Sequence, residues 1–546
     1  MPVPGSWRLA LFMFEDSNVL VSQAITVDLL ISFFLAILPI LVIFVGLVVL
    51  KQSGTLMGFV GWVLTVVIAI LFFSTSPAIA LYATVNGILA SFGISLMVLL
   101  TILQVTMMDV TGAIRSITEY IRLIAAERYE QVMLLNVGLG SFLVSIGATP
   151  VTMLPPIMLA LGFSPLAAIA LPCLGYDPLT SFSLLAVPIT LPAQVFNLDL
   201  APLGSQISLF LPVVSTGFAF GMLYIADGLK GMRDGFVPAI VAGLTLGLSA
   251  IFFVRVLPVS AIGLVGVFSG LVTIVVLLLL RVAKGRPILV RRDDMPADVM
   301  PIGRAALPWL LLVFFVIVIS IPVLSTGLYG LLGPLQRVTI VADRVIDLKL
   351  LNQAYTWVLV STLVSAPFLV RGRDEARKIV QVWLKRAWAP TFAAAIFFAI
   401  AYVMDWSGQT VIDNALTFAP GTADINMNAV IGLTLAMTFG VAFPAISPLL
   451  GLFGAFVSGS EASSNVMFHG ILKRATGVLD LDFIKVYSAH AVAGGIASGI
   501  APAKIINAAA VIDQLGMEGE VIRKCAPVAL VLTIATGALL VLMLAI

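Results

Sequence analysis

A short polar segment interrupts an apolar stretch of the chain at residues 458–465, which read SGSEASSN. It combines hydroxyl, amide and carboxyl groups, which together can hold a small anion that carries a neighbouring hydroxyl. Its acid can also exchange a proton, because burial and a nearby anion both favour the protonated form. The segment therefore predicts anion-binding residues and an ion-coupling residue. The binding residues are Ser460, Ser463, Ser464 and Asn465, and the coupling residue is Glu461.

Asp177, His490 and Lys504 are three more titratable residues within or beside apolar segments. Ionisable residues in such places are functional candidates by default. Asp177 and His490 are therefore candidate coupling residues after Glu461, and Lys504 can offset the charge of a bound anion. A plainer role stays open for each acid and for the histidine: Asp177 as a helix cap, His490 as a packing residue, and Glu461 as a residue at a wet hairpin tip.

Proline-containing interruptions mark three further places where helices are predicted to begin: Thr149-Pro150, Asp177-Pro178 and Ala501-Pro502. Threonine and aspartate are good N-cap residues, and proline is well suited to the first helical position. Helix N-termini offer free N–H groups and a partial positive charge, which suit an anion. Thr149 and Lys504 therefore complete the predicted binding set.

The composition indicates that these groups lie inside a membrane. Of the 546 residues, 61% are hydrophobic and 10% are charged, and mean hydropathy is +1.15. Soluble proteins carry about a quarter charged residues. So few charges cannot cover a water-facing surface, which excludes a soluble enzyme, a nucleic-acid binder and a secreted disulfide scaffold. The net charge of +2 also gives no sign of a polyanionic partner.

Apolar runs long enough to cross a bilayer recur along the chain. They cover approximately 27–50, 56–73, 84–110, 207–226, 236–255, 259–282, 307–325, 355–370, 388–404 and 526–546. Two broken regions, 165–196 and 482–514, are predicted to cross once each, whereas 131–162 and 447–472 are predicted to dip in and return. The predicted fold is an all-α polytopic membrane protein with about 12 transmembrane helices and two re-entrant helical hairpins.

The distribution of positive charge predicts the orientation in the cell membrane. Of the 29 Lys and Arg residues, 20 fall on one side, 8 fall on the other, and Lys504 lies within a broken span. The side richer in positive charge is cytoplasmic, so both termini are expected outside the cytoplasm. This holds if 426–446 does not cross fully; a full crossing would exchange the sides after it. Segments 112–130 and 371–386 read as amphipathic helices on the cytoplasmic surface.

Three features recur in the same order and indicate an internal repeat. The matched pairs are MDVTG at 108–112 with MDWSG at 404–408, GSFL at 140–143 with GAFV at 454–457, and LGYDP at 174–178 with SGIAP at 498–502. An odd number of predicted crossings separates Asp109 from Asp405, so the two halves enter from opposite faces. Inverted repeats with paired interrupted helices are typical of secondary transporters, whose site lies near the midplane.

The repeat divides the chain into five predicted parts. These are N-terminal transmembrane helices in 1–76, a first repeat in 77–226, connecting helices in 227–354, a second repeat in 355–514 and a C-terminal helix in 515–546. The first repeat contains hairpin 131–162 and broken helix 165–196. The second contains hairpin 447–472 and broken helix 482–514.

The second hairpin resembles that of the L-lactate permease family, which reads much like FLTGSDTSSN where this chain has FVSGSEASSN. Further similar segments are SPLLG at 447–451, GGI at 494–496, Ala501-Pro502, and the stretches 111–116 and 161–166. The likeness spans most of the chain and is densest in the last hundred residues. It implies an inverted repeat like that of the ion transporter superfamily. It also implies transport of 2-hydroxy monocarboxylates, such as lactate and glycolate, with protons.

The chain departs from this family at three places. Val144 stands where the first hairpin of the family has an acid, and Asp177 stands where the family is apolar. The family's lysine after the last glycine pair is missing, while Lys504 follows a few residues on. An acid–base pair is therefore relocated or lost, which leaves the substrate and the coupling ion open.

Three classes of function are compatible with these features. A secondary transporter of a small organic anion, coupled to protons or Na⁺ or uncoupled, is favoured by the repeat. An intramembrane enzyme would have to use His490 with Glu461, yet the chain has only two histidines and no complete catalytic set. A channel would more naturally use symmetric rings. No metal, ATP or cofactor motif is present, and the sequence leaves a monomer or a homodimer open.

Overall fold

A computed structural model describes residues 27–50, 52–125, 127–147, 150–286, 296, 298–422, 425–510, 512, 514 and 516–546. Helices account for most of this part of the chain, and two short antiparallel β-hairpins are its sheets.

The elements before residue 286 are helical. The α-helices are α1 (Val27–Val48), α2 (Gly54–Phe72), α3 (Pro77–Ala90), α4 (Phe92–Val110), α5 (Ala113–Ile124), α6 (Arg128–Val132), α7 (Gly140–Ser145), α8 (Pro150–Met153), α9 (Pro155–Ala160), α10 (Pro165–Leu174), α11 (Val187–Val195), α12 (Leu200–Asp234), α13 (Phe236–Val256) and α14 (Val265–Ala283). A π-helix covers Met133–Leu139, and 3₁₀ turns cover Thr180–Phe182, Leu184–Ala186 and Val259–Leu264.

The elements after residue 298 include the strands. They are α15 (Ile302–Ala305), α16 (Leu307–Ser320), α17 (Pro322–Leu332), β1 (Arg337–Val341), β2 (Arg344–Asp347), α18 (Ala354–Leu369), α19 (Arg373–Trp406), β3 (Gln409–Ile412), β4 (Ala415–Phe418), α20 (Met427–Phe439), α21 (Phe443–Ser458), α22 (Glu461–Val478), α23 (Phe483–Ser498), α24 (Pro502–Ala510) and α25 (Glu518–Ala545). Short 3₁₀ turns cover Gly333–Gln336, Leu350–Asn352 and Gly440–Ala442.

The described residues contain nine helices that are long and apolar enough to cross a membrane, or up to ten if one bent pair counts as a span. The chain is therefore an all-α polytopic membrane protein, as the composition predicts. The number of about 12 crossings stays a prediction. Small residues allow the helices to pack closely, as is general at interfaces between transmembrane helices. A Cβ added at Gly243 of α13 would lie 2.3 Å from Thr216 Cα of α12.

Two predicted helical segments differ from the structure. The span expected at 307–325 is bent by 91° between Leu307–Ile319 and Val323–Gln336. Pro322 explains the bend, because proline disfavours a helical residue before it, and Ile321 has an extended backbone (φ −73°, ψ 119°). Residues 373–386 do not form a separate surface helix; they are the first turns of α19. The amphipathic helix predicted within 112–130 is present as α5.

The two β-hairpins were not anticipated by the apolar pattern, since each strand has only four or five residues. They contact each other: the Leu416 N–H donates to Asp343 Oδ1 at 2.8 Å, and Arg344 Nη2 donates to the Leu416 carbonyl at 3.0 Å. The first of these bonds is the main cause that lowers the pKa of Asp343. Both hairpins therefore lie on the same side of the helical bundle.

Candidate functional site

The two interrupted regions of the chain meet inside the bundle. Helix α23 contacts the 3₁₀ turn Thr180–Phe182, which follows α10, and helix α11 packs along α22. Helix α24 packs against α10 and α8. The broken stretch between α10 and α11 is thereby held against the start of α22, where the polar segment of the second hairpin lies.

The second hairpin is a pair of helices with a very short connection. Gly459, with a left-handed φ of 72°, ends α21, and the Ser460 hydroxyl accepts a hydrogen bond from the Ser463 N–H at 3.4 Å as the N-cap of α22. The predicted interruption at 458–465 is therefore limited to two residues. Glu461 lies on the first helical turn, where N–H groups lack partners within the helix, and Asn465 begins the next turn.

The stretch after α10 has a strained backbone. Thr180, Leu184, Leu185 and Ala186 have positive φ values of 41°, 51°, 55° and 58°. A left-handed conformation costs a non-glycine residue about 1–2 kcal/mol, and such strain is typical of functional regions. No helix begins at Asp177-Pro178, which corrects the predicted cap: the Thr180 N–H donates to the Asp177 carbonyl at 2.9 Å in a turn, and the φ of Thr180 does not fit an α-helix.

Glu461 is the centre of this junction. Its side chain is buried, and its carboxyl Oε1 accepts a hydrogen bond from the Ser181 hydroxyl. Gly495 of α23 packs against both Glu461 and the 180–182 turn. A Cβ added at Gly495 would lie 2.5 Å from Thr180 Cβ and 2.8 Å from Glu461 Oε2. Three separate elements therefore enclose one carboxyl group, and only glycine leaves room for it.

Asn465 lies one turn after Glu461, so the two side chains share a helix face. Its Nδ2 donates to the Pro188 carbonyl at 2.9 Å, which ties α22 to α11, and the Tyr487 hydroxyl donates to the Asn465 carbonyl at 2.8 Å. Its Oδ1 has no hydrogen-bond partner among the described residues. The asparagine is therefore fixed by one end of its amide while the other end is unsatisfied.

The remaining serines of the segment differ in their contacts. Ser464 Oγ lies 3.4 Å from His490 Nε2 and 3.4 Å from the Gly451 carbonyl, and His490 is fully buried. Ser463 is also buried, yet its hydroxyl has no partner in the described part of the chain. The structure thus brings His490 to the segment through Ser464, whereas Ser463 is left with an unused polar group.

Asp177 and Lys504 form a second polar group beside the first. The Lys504 ammonium lies 3.6 Å from the centroid of the Tyr176 ring and interacts electrostatically with Asp177 and Glu461. Asp177 is buried, and a Cβ added at Gly499 would lie 2.9 Å from its Oδ2. Helix α24 begins at Pro502, as predicted, and carries this lysine. Thr149 lies outside the described residues.

Thr180 and Ser181 were missed by the sequence reasoning. Both are fully or almost fully buried, with 1% and 0% exposure, and Thr180 Oγ1 has no partner within the described residues. Hydroxyl residues inside an otherwise apolar run, three and four positions after Asp177, were the available signal. Among the described residues, no group of three or more His, Cys, Asp or Glu side chains could hold a metal ion.

Comparisons with known proteins agree on one family. A family model described as L-lactate permease matches residues 32–546. The chain is 24% identical over 546 residues to an L-lactate permease of Salmonella typhi, covering 93% of this chain and 94% of that protein. It is also 24% identical over 537 residues to the glycolate permease GlcA of Escherichia coli strain K12, covering 90% and 92%.

A solved structure of Neisseria gonorrhoeae MtrF covers 91% of this chain and 96% of its own, with 13% identity and a TM-score of 0.44. That likeness is too weak to carry an argument about fold or function.

Proposed function

Because the chain belongs to the L-lactate permease family, we propose that it is a secondary active transporter of small 2-hydroxy monocarboxylates, lactate and also glycolate, together with protons. In this proposal the protein lies in the cell membrane with both termini outside the cytoplasm. The two interrupted regions belong to the two halves of an inverted repeat, and the substrate binds where they meet. The site consists of Thr149, Ser460, Ser463, Ser464, Asn465 and Lys504.

The observation that carries the proposal is a set of unpartnered polar atoms at the start of α22 and in the 180–182 turn that contacts it. Thr180 Oγ1, Ser463 Oγ and Asn465 Oδ1 are buried without hydrogen-bond partners in the described part of the chain. Each such group costs about 1–3 kcal/mol. A small molecule with a carboxylate and a neighbouring hydroxyl offers both acceptors and a donor, and so suits a mixed set of hydroxyl and amide groups.

Charge balance supports a proton as the coupled ion. With Glu461 and Asp177 ionised and Lys504 protonated, the three side chains sum to one negative charge. A carboxylate substrate adds a second negative charge in a low-dielectric interior, where an uncompensated charge is costly. One proton bound to Glu461 cancels the negative charge that the substrate adds, so the anion and the proton favour each other's binding. Such coupling is reciprocal between the two ligands.

Transport of labelled L-lactate by the purified protein in proteoliposomes tests the proposal. We expect a pH gradient to drive accumulation and a Na⁺ gradient to have no effect. In Glu461→Gln we expect lactate exchange to survive while pH-driven accumulation is lost, because the amide cannot carry the proton. The exposed Glu520 at the start of α25 provides the matched control, Glu520→Gln, which should behave as the parent.

Three other outcomes would each reject part of the proposal. Parent-like pH-driven accumulation in Glu461→Gln would exclude this residue as the proton carrier and transfer the role to Asp177. Accumulation driven by Na⁺ would replace the proton as the coupling ion. Facilitated uptake that follows neither gradient would identify an uncoupled carrier.

A further inference from the structure

A polar cavity lies apart from the Glu461 site. Its volume is about 630 Å³, which falls within the range of small-molecule sites. The β1–β2 hairpin forms one wall, and the ends of α11 and α19 and the middle of α22 form others. None of the residues assigned above to substrate binding or ion coupling lines it. We call this space the vestibule.

His469 is a buried residue of the vestibule wall whose ring nitrogens have no hydrogen-bond partner among the described residues. The residue is only 4% exposed. The ring is stacked on Phe196 with centroids 3.7 Å apart and planes at 2°, and it meets Phe483 and Tyr487 edge to face. These aromatic contacts fix the ring but satisfy neither nitrogen, so both nitrogens remain available for a hydrogen bond with a ligand.

Lys473 provides a positive charge in the same space. It follows His469 by one helical turn on α22, so both side chains lie on one face, and both line the vestibule. Lys473 is exposed and has no ion pair within 4.0 Å in the described part of the chain. Its charge is therefore available to an anion.

The acids of the vestibule wall are already engaged. Asp343 accepts the Leu416 N–H at 2.8 Å and lies 3.7 Å from Arg344 Nε. Asp347 accepts a hydrogen bond from the Tyr329 hydroxyl. The third acid, Asp405, is hydrogen-bonded by Asn428 at 3.5 Å. Among the cations of the lining, Lys349 and Lys473 have no ion pair within 4.0 Å in the described part of the chain. A carboxylate entering from water therefore meets two unpaired lysines, and Lys473 is the one that lies one helical turn from His469.

Two helices connect the vestibule with the Glu461 site. Glu461 and His469 lie on the same helix, eight residues apart, which corresponds to about 12 Å along its axis. Helix α11 runs beside it: Pro188 bonds Asn465 near the site, and Gln194 lines the vestibule. A molecule in the vestibule is thus about two helical turns from the buried carboxyl group.

From this geometry we propose that the vestibule contains a second binding site for small carboxylates, on the route between water and the Glu461 site. Lys473 supplies the charge and His469 supplies a hydrogen bond. The inference rests on the proposed function, because it takes the same class of ligand.

Thiol labelling of the full-length protein tests this site independently of transport. Val345 lines the vestibule and is 52% exposed, whereas the native Cys173 and Cys525 are fully buried. Val345→Cys should therefore be the main target of an anionic methanethiosulfonate reagent. We expect L-lactate, at a concentration that half-saturates the site, to slow labelling about twofold, as occupancy by mass action requires.

Second substitutions in the Val345→Cys background locate the bound lactate. Lys473→Met should abolish the protection, and the matched control Lys385→Met, which removes an exposed lysine of α19 outside the vestibule, should retain it. Ser463→Ala removes a hydroxyl of the proposed substrate site that has no partner among the described residues and that does not line the vestibule, so protection should persist in that variant. Protection that survives Lys473→Met, or that disappears with Ser463→Ala, would overturn the vestibule site.

Lactate uptake by the parent protein separates the two proposals. If the parent takes up lactate but lactate never slows labelling of Cys at position 345, the vestibule site is wrong and the transport function stands. If the parent takes up neither lactate nor glycolate, the proposed function is wrong, and the carboxylate site that rests on it is wrong as well.

Discussion

Gly495 offers the sharpest test of the junction around Glu461, because a single methyl group at this position meets two of its walls. The added Cβ of Gly495→Ala would lie 2.5 Å from Thr180 Cβ and 2.8 Å from Glu461 Oε2. Carbon atoms in contact prefer about 3.5–4.0 Å, so α23 and the 180–182 turn would have to separate by about 1 Å. Overpacking of this kind costs about 1–3 kcal/mol of stability.

The same displacement should impair transport more than stability. A misplacement of about 1 Å can lower a rate roughly 100-fold when groups must be held in place. We therefore expect initial rates of lactate exchange in proteoliposomes to fall by roughly 10- to 100-fold in Gly495→Ala, while the protein still elutes as a folded species. Gly477 on α22 has no heavy atom within 4 Å of an added Cβ, so Gly477→Ala is the matched control and should exchange lactate like the parent.

A compensating substitution makes the interpretation specific. Thr180→Gly removes the nearest atom, and glycine tolerates the left-handed φ of 41° at this position. The double variant Thr180→Gly/Gly495→Ala should recover part of the lost rate; recovery is partial because Thr180 Cα lies 2.8 Å from the added methyl. Parent-like exchange in Gly495→Ala alone, or no recovery in the double variant, would refute this account of the junction.

Two further predictions concern single polar contacts. Asn465→Ala loses the 2.9 Å bond to the Pro188 carbonyl and should lower both lactate affinity and unfolding free energy by about 1–3 kcal/mol. Ser463→Ala, whose hydroxyl has no partner among the described residues, should lower lactate affinity alone. Equilibrium binding and thermal unfolding distinguish the two variants, and a loss of thermal stability in Ser463→Ala would contradict this expectation. The pKa of Asp343 is lowered by the Leu416 N–H, so its contact stabilises the fold above the unfolded pKa of about 3.9 and is lost as pH falls through the lower folded pKa. Amide exchange at 409–418 should then accelerate, and Asp343→Ala, which removes the acceptor, should show that faster exchange already at pH 7. Unchanged exchange in both cases would oppose the assignment.

The sequence alone determined the class of the protein and the location of its polar segment. A bilayer core leaves every backbone group to be satisfied internally, so long apolar runs predict transmembrane helices without any tertiary information. The same constraint makes a polar interruption such as 458–465 conspicuous. It also singled out Glu461, Asp177 and Lys504, since ionisable residues are rare in apolar segments.

Only the tertiary structure decided which groups meet. Ser181 and Glu461 are 280 residues apart in the chain, and no local pattern links them. Thr180 has a left-handed backbone where it packs against Gly495 of α23, and no turn motif in the sequence indicates this conformation. The helix predicted after Asp177 is absent. The vestibule likewise depends on the β1–β2 hairpin, whose strands of five and four residues are too short to show a strand pattern. Local composition determines whether a segment lies in the membrane or in water. The partners of a buried polar group are determined by contacts between distant segments, and those contacts exist only once the chain is folded.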